Sequence, residues 1–376
     1  MKFDYGVMPA VIFAVGILIV WLSIRRLVCV TDYVSGKRSG KGQRLITRIV
    51  LSLVIFCTAT VTISSIFNAI AIRFLPGRNP PSGEIYLVSG HRMHIFCAGS
   101  GSPTIVLESG LGNDSFVWGR VQPALSRATR VCSYDRAGYG YSEALPAPRD
   151  ADHIAAELHG LLIQAKVIGP IVLMGHSMGG IYIRDYATRY PEEVRGLIFV
   201  DASTPLQGQT TPFKKVKQSP QWPTILLTRL AYITNLPRLV GSCSLSGPGS
   251  ESRPWMLLAE GLCHPQFRAS RDEGDSFDLS GEETIQTGSF GALPILIFSH
   301  DPARTKQITN WENSWTQMQE DLKKLSTRSR RIVARNSTHY VQLDRAQLVV
   351  KEVSLLIEQI RGTTPQTAYY GSTITE

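Results

Sequence analysis

Residues 5–24 and 49–72 are two stretches of 20 and 24 residues without a charge, rich in Val, Ile, Leu and Ala, and each is followed by an arginine. As helices rising ~1.5 Å per residue, both are long enough to cross a hydrocarbon layer of roughly 30 Å. The pattern therefore predicts two membrane spans. Beyond a Pro/Gly-rich joint at 76–83 it changes to short apolar runs: 85–88, 93–97, 104–107, 130–134, 171–174, 196–200, 293–298 and 331–334. Helix-like stretches occupy 149–165, 179–190, 311–325 and 346–360. The later runs are continuous Val, Ile and Leu, as in strands covered by helices on both faces, and the first two read as an antiparallel hairpin. The expectation is a doubly wound α/β domain with an eight-stranded, mostly parallel sheet.

Between the sixth and seventh runs, about 205–290 is far longer than the roughly 2–6 residues that usually connect such elements. Its helical apolar pattern at 224–232 and its Trp222 and Trp255 predict a helical cap, with a disordered insertion as the alternative. The organisation is then a membrane anchor at 1–79, a main domain at 80–361 and a polar, frayed tail at 362–376. Charge supports the division. Of a formal net +9, residues 1–79 carry +8, so the main domain is nearly neutral and no nucleic-acid-binding surface is expected on it. Seven Lys/Arg between the two apolar stretches, against Asp32 alone, place that loop in the cytoplasm. This implies a two-pass protein of the inner or plasma membrane, held in the lipid bilayer through residues 5–72, with its main domain extracytoplasmic. Ala69-Ile70-Ala71 offers the alternative of a cleaved internal signal.

The segment 170–180, PIVLMGHSMGG, runs an apolar strand into Gly-x-Ser-x-Gly and then into a helical pattern. A strand-to-helix turn this tight strains the central serine and needs glycines two before and two after it. Ser177 would stand exposed at a helix N-terminus, where backbone N–H groups favour developing negative charge. The turn after the third run, Glu108-Ser109-Gly110-Leu111-Gly112, could aim the Leu111 N–H at the same point as that of Met178, forming an oxyanion hole. In the chain order Ser, acid, His, the late His339 is the candidate base, with His300 a lesser one. Asp301, after the seventh run, is the first candidate acid; Asp201, after the sixth, is the alternative, and Glu312 a further one.

Four segments together carry a resemblance: 102–112, 131–142 (VCSYDRAGYGYS), 175–180 and Ser337-Thr338-His339. From Met93 to about Arg361 the chain resembles the α/β-hydrolase superfamily, particularly bacterial membrane-anchored or secreted members. The resemblance implies a Ser177, Asp301, His339 triad, the Leu111 and Met178 amides as oxyanion hole, a cap between the sixth and seventh strands, and a structural loop at Asp135 and Arg136. Two positions depart from the family pattern. Ser109-Gly110 stands where many members have His-Gly, and Asp301 follows Pro294 more closely than the family acid does and lacks its glycine.

The resemblance also makes the second and fourth strands neighbours, so a Cys97–Cys132 disulfide is plausible, and Cys243 with Cys263 would staple the cap; four thiols are the alternative. No C-x-x-C, H-E-x-x-H or phosphate-loop motif occurs, and no metal, nucleotide or other cofactor is expected. The expected function is a membrane-tethered serine hydrolase, carboxylesterase- or lipase-like, that cleaves an ester, thioester or amide of a small-molecule acyl substrate through an acyl-enzyme on Ser177. The anchor and aromatic cap point to a lipid-like substrate. An acyltransferase of the same fold and a non-catalytic membrane-tethered binder or sensor are the alternatives. A serine at the elbow argues against epoxide-hydrolase chemistry, which in this fold uses an aspartate there.

Overall fold

The computed structural model describes residues 82–146, 148–205, 207–209, 267–285, 287–304, 309–363 and 371–376, with scattered positions between 18 and 66. By its contacts the chain forms two compact units, Pro81–Gln221 with Leu245–Glu376, and Met1–Pro80 with Trp222–Ser244. The first contains a nine-stranded sheet: β1 (Glu84–Val88), β2 (His91–Ala98), β3 (Thr104–Glu108), β4 (Val131–Tyr134), β5 (Ile171–His176), β6 (Val194–Val200), β7 (Ile295–Ser299), β8 (Ser329–Val333) and β9 (Thr373–Thr375). Their order is β1-β2-β4-β3-β5-β6-β7-β8-β9. The β1–β2 and β2–β4 pairs are antiparallel and the rest parallel. The ninth strand departs from the sequence expectation. Thr373–Thr375, in what reads as a frayed tail, adds to the β8 edge in register Ile332 to Ile374.

Alternation along the central strands explains why both faces are apolar. Leu173, Leu197, Phe199 and Ile297 pack on α1 (Ala151–Gln164) and α2 (Gly179–Arg189). Met174, Ile198, Val200 and Phe298 face the other way, toward residues 117–125 and the C-terminal helix. Each such side chain contributes about 1.5–3 kcal/mol when fully buried, so the strand ends that carry the chemistry rest on a rigid base. Helices α3 (Phe267–Asp275) and α4 (Phe277–Ile285) come from the end of the long insertion. Next come α5 (Thr309–Asp321) and α6 (Ala346–Arg361), the latter ended by Gly362 at φ +75°.

Cys97 and Cys132 face each other across β2 and β4 and form a disulfide. Cys243 and Cys263, and most of the cap, lie outside the described residues. So do most residues of the first expected membrane span and nearly half of those of the second. Among the described residues no helix is long and apolar enough to cross a membrane. The positions that are described there, such as Leu18, Trp21, Ile49, Leu53 and Ile63, are helical, and their apolar side chains are exposed.

Candidate active site

Strand β5 delivers Ser177 into a left-handed backbone conformation at φ +51°, uncommon for a residue with a side chain and costing of order 1–3 kcal/mol. The turn is held by the Ser177 N–H on the Val200 carbonyl and by the N–H groups of Gly180 and Ser203 on the Ser177 carbonyl. The flanking glycines are steric necessities: a Cβ on Gly175 would meet the Gly179 carbonyl oxygen at 2.6 Å, and one on Gly179 would meet that of Glu108 at 2.7 Å. Gly110 lies against the elbow, where a Cβ would come within 2.9 Å of the Ser177 Cβ. This brings the 108–112 turn beside Met178, the residue preceding α2. Among the described residues, no protein acceptor takes the N–H of Leu111 or of Met178. Ser109, in place of the family histidine, bonds the Asp114 carbonyl (2.9 Å) and accepts from Trp118 Nε1 (3.2 Å).

His339 lies in the turn after β8. The ring of His176, next to Ser177, sits 4.7 Å from the His339 ring, and His176 Nε2 is 3.0 Å from the His339 carbonyl oxygen. Burial, with the His339 charge next, holds the His176 imidazole down at about 3, so it stays neutral. His339 Nδ1 donates to Asp201 Oδ2 at 2.6 Å. Asp201 is fully buried at the end of β6, itself at φ +44°.

The Asp301 expectation is therefore corrected. Its carboxylate accepts from the backbone N–H groups of Asn336 (2.8 Å) and Ala303 (3.0 Å), in a half-exposed turn. The Asn336 bond, foremost, holds its pKa below the usual carboxylate range. Asp301 thus braces the loop that carries His339 and does not pair with the imidazole. The carboxylate that does comes from β6, the neighbour of β5, and it is the alternative that spacing alone ranks second.

Sequence reasoning places His300 and Glu312 only as lesser candidates, and the structure gives both a different position. His300 Nδ1 lies 2.8 Å from Asp201 Oδ2, the His300 N–H donates to Oδ1 at 3.1 Å, and Trp315 Nε1 donates to Oδ1 at 3.0 Å. On its far side His300 Nε2 lies 3.1 Å from Glu312. Burial works against the His300 charge, but the hydrogen bond and charge of Asp201, aided by Glu312, lift its pKa to about 9. Burial likewise opposes the Asp201 charge, and bonds from the two histidines overcome it, holding the carboxyl well below its usual range. Asp135 serves the structural loop: it accepts from the N–H groups of Ser115 (2.9 Å) and Tyr141 (3.0 Å) and lies 2.8 Å from His94 Nδ1. Among the described residues no His, Cys, Asp and Glu side chains are grouped to hold a metal ion.

A family model described as the alpha/beta hydrolase fold matches residues 103–346, more than half of the chain. The protein belongs to this family. A relative in Schizosaccharomyces pombe, itself uncharacterized, is 29% identical over 246 residues, 63% of this chain and 43% of that one. The chain spans about half the length of the first curated relatives it matches. Among solved structures, epoxide hydrolase VrEH1 from Vigna radiata (17% identity, TM-score 0.55) covers 75% of this chain and 98% of its own. The esterase EaEST from Exiguobacterium antarcticum (18% identity, TM-score 0.53) covers 73% and 99%. These likenesses show the fold alone.

Proposed function

We propose that the protein is a membrane-tethered serine hydrolase that cleaves an ester, thioester or amide with an apolar acyl group through an acyl-enzyme on Ser177. One observation carries the reading: a strained elbow serine follows His176, whose ring lies 4.7 Å from that of His339, and the His339 Nδ1–H is seated on a buried aspartate. His339 Nε2 takes the Ser177 hydroxyl proton as Oγ attacks the carbonyl carbon, and Asp201 fixes the imidazole tautomer and stabilises the imidazolium. The N–H groups of Leu111 and Met178 receive the oxyanion. The imidazolium then protonates the leaving group, and water, activated the same way, releases the acid and restores Ser177. An elbow serine supports acyl chemistry over the epoxide opening named for one structural neighbour.

Two features support the tether and an extracytoplasmic site. The charge asymmetry of residues 1–79 is that of a two-pass anchor, and the Cys97–Cys132 disulfide suits an oxidising compartment. An apolar anchor in the same chain also favours a lipid-like substrate. The test is labelling of the full-length protein with an alkyl fluorophosphonate. An adduct on the wild type, lost in Ser177→Ala and His339→Ala, is expected; a folded wild type that takes no label overturns the reading. Resistance of the protein to alkaline carbonate extraction tests the anchor, and its release into solution would refute it.

A further inference from the structure

The Leu111 peptide is held by side chains remote from Ser177. The Gly110 C=O and the Leu111 N–H belong to one planar trans peptide and point in opposite directions. The Gly110 carbonyl accepts from Arg136 Nη2 at 3.0 Å, and the preceding carbonyl, of Ser109, from Nη1 at 2.6 Å. On the other side of Leu111, the Gly112 N–H points at Tyr139 Oη, 3.4 Å away. Glu273, on α3 at the end of the insertion, grips both holders. Its Oε1 accepts from Arg136 Nε (2.9 Å), and its Oε2 accepts from Arg136 Nη2 (2.9 Å) and Tyr139 Oη (2.8 Å). Glu108 Oε1 takes Nη1 at 2.7 Å.

A guanidinium has five N–H donors in a fixed fork, and these five bonds use them all: three on carboxylates and two on consecutive carbonyls. Arg136 is 2% exposed, with Glu108 and Glu273 fully buried. The guanidinium carbon lies 4.7 Å from the centre of the Tyr139 ring and 5.2 Å from that of Tyr182, on α2. Charge balance alone would need one cation near two carboxylates. It would not need a fork spent on the two carbonyls that precede Leu111.

We propose that Arg136 is a positioning residue that aims the Leu111 N–H at the oxyanion by holding the Gly110 carbonyl on the opposite side of the peptide, and that Glu273 keeps it there. The inference rests on the serine-hydrolase reading. It makes the oxyanion hole dependent on the seating of α3, so the last part of the insertion takes part in transition-state stabilisation without touching substrate. Lysine separates this role from charge balance, because it keeps the cation and lacks the fork.

The test uses full-length protein in detergent, wild type and Arg136→Lys, Arg136→Gln and Glu273→Gln, with p-nitrophenyl butyrate as probe. Removing an oxyanion donor costs about 10²–10³ in kcat; a misaimed one should cost about 10- to 100-fold, with KM within about threefold. Affinity for an aryl trifluoromethyl ketone, whose tetrahedral adduct places an oxyanion in the hole, should fall in parallel with kcat, and affinity for butyrate should not. A folded Arg136→Lys with wild-type kcat, or variants that raise KM alone, would overturn the proposal. If neither Arg136 variant folds, Glu273→Gln decides: a lower kcat supports the proposal and a wild-type kcat overturns it. A folded wild type with neither turnover nor fluorophosphonate adduct fails differently, removing the hydrolase reading and this inference with it.

Discussion

Replacing each of two aspartates by asparagine distinguishes the acid that the structure seats on His339 from the one that chain spacing favours. Asp201 receives His339 Nδ1 at 2.6 Å, His300 Nδ1 at 2.8 Å, the His300 N–H at 3.1 Å and Trp315 Nε1 at 3.0 Å. An amide offers one oxygen and an NH₂ in place of two oxygens, so in Asp201→Asn one of the donors meets another donor, and the imidazole loses its tautomer or its orientation. In a serine triad that change costs about 10⁴ in kcat, or about 5 kcal/mol of barrier. Among the described residues Asp301 accepts two backbone N–H groups, and in Asp301→Asn one oxygen still accepts. The loss there is of order 1 kcal/mol of loop stability, with kcat within about threefold of wild type. The assay is kcat on p-nitrophenyl butyrate and the rate of fluorophosphonate labelling, with thermal melts to confirm that both variants fold. A silent Asp301→Asn beside an Asp201→Asn that keeps more than about a tenth of wild-type kcat would refute the reasoning.

Three further outcomes are expected. The His300 pKa is raised from 6.5 to about 9, so its contribution to stability, at most about 3 kcal/mol, is fully present below pH 6.5 and lost as pH rises through about 9. Denaturant unfolding across that window should show the fall, reduced by half or more in His300→Gln; an equal fall in both proteins contradicts the assignment. In Gly110→Ala the new Cβ would meet the Ser177 Cβ at 2.9 Å and His176 Nδ1 at 3.0 Å, so kcat should drop by about tenfold or more with the circular dichroism unchanged, and wild-type turnover would show that the turn yields freely. Opening the Cys97–Cys132 disulfide, which joins residues 35 apart, should cost about 3–4 kcal/mol by the loop-entropy relation, read as a lower denaturant midpoint in Cys97→Ser; an unchanged midpoint counts against a formed disulfide.

Strands buried on both faces announce themselves in sequence, because every residue from Ile171 to Met174 or from Leu197 to Val200 must be apolar. The elbow was legible for a related reason: its glycines answer to backbone that passes too close for a Cβ, the Gly179 carbonyl at Gly175 and the Glu108 carbonyl at Gly179. Helices α3 and α4 were not legible, since their buried positions, Ala269 and Gly281 apart, are polar. Glu273, Ser280 and Thr284 are fully buried and are satisfied by Arg136, by the Ala151 N–H and by the Ser280 carbonyl respectively. No apolar stripe marks such a helix. Strand β9 is three residues long and owes its existence to the free β8 edge. The acid was misranked because Asp201 and Asp301 both follow strands, and only their lateral positions in the sheet distinguish them.

That lateral position accounts for the rest of the site. Neighbouring strands lie about 4.8 Å apart, so an acid at the end of β6 sits one strand from Ser177, whereas one at the end of β7 would sit two strands, roughly 10 Å, away. The His339 loop, coming from beyond β7, must then cross the end of that strand to reach both partners. A carboxylate at the end of β7 would lie under the crossing imidazole and compete for it. Here that place holds His300 instead, which presents a donor to Asp201, while Asp301 is turned out to brace the backbone at Asn336. With His300 cationic and Asp201 anionic, the pair alone would be neutral and would do little for an imidazolium at His339. Glu312, 3.1 Å from His300 on the far side, returns the cluster to a net negative charge. His300 and Glu312 thus follow from placing the acid on β6: the first fills the vacated strand end, and the second restores the charge that the first consumes.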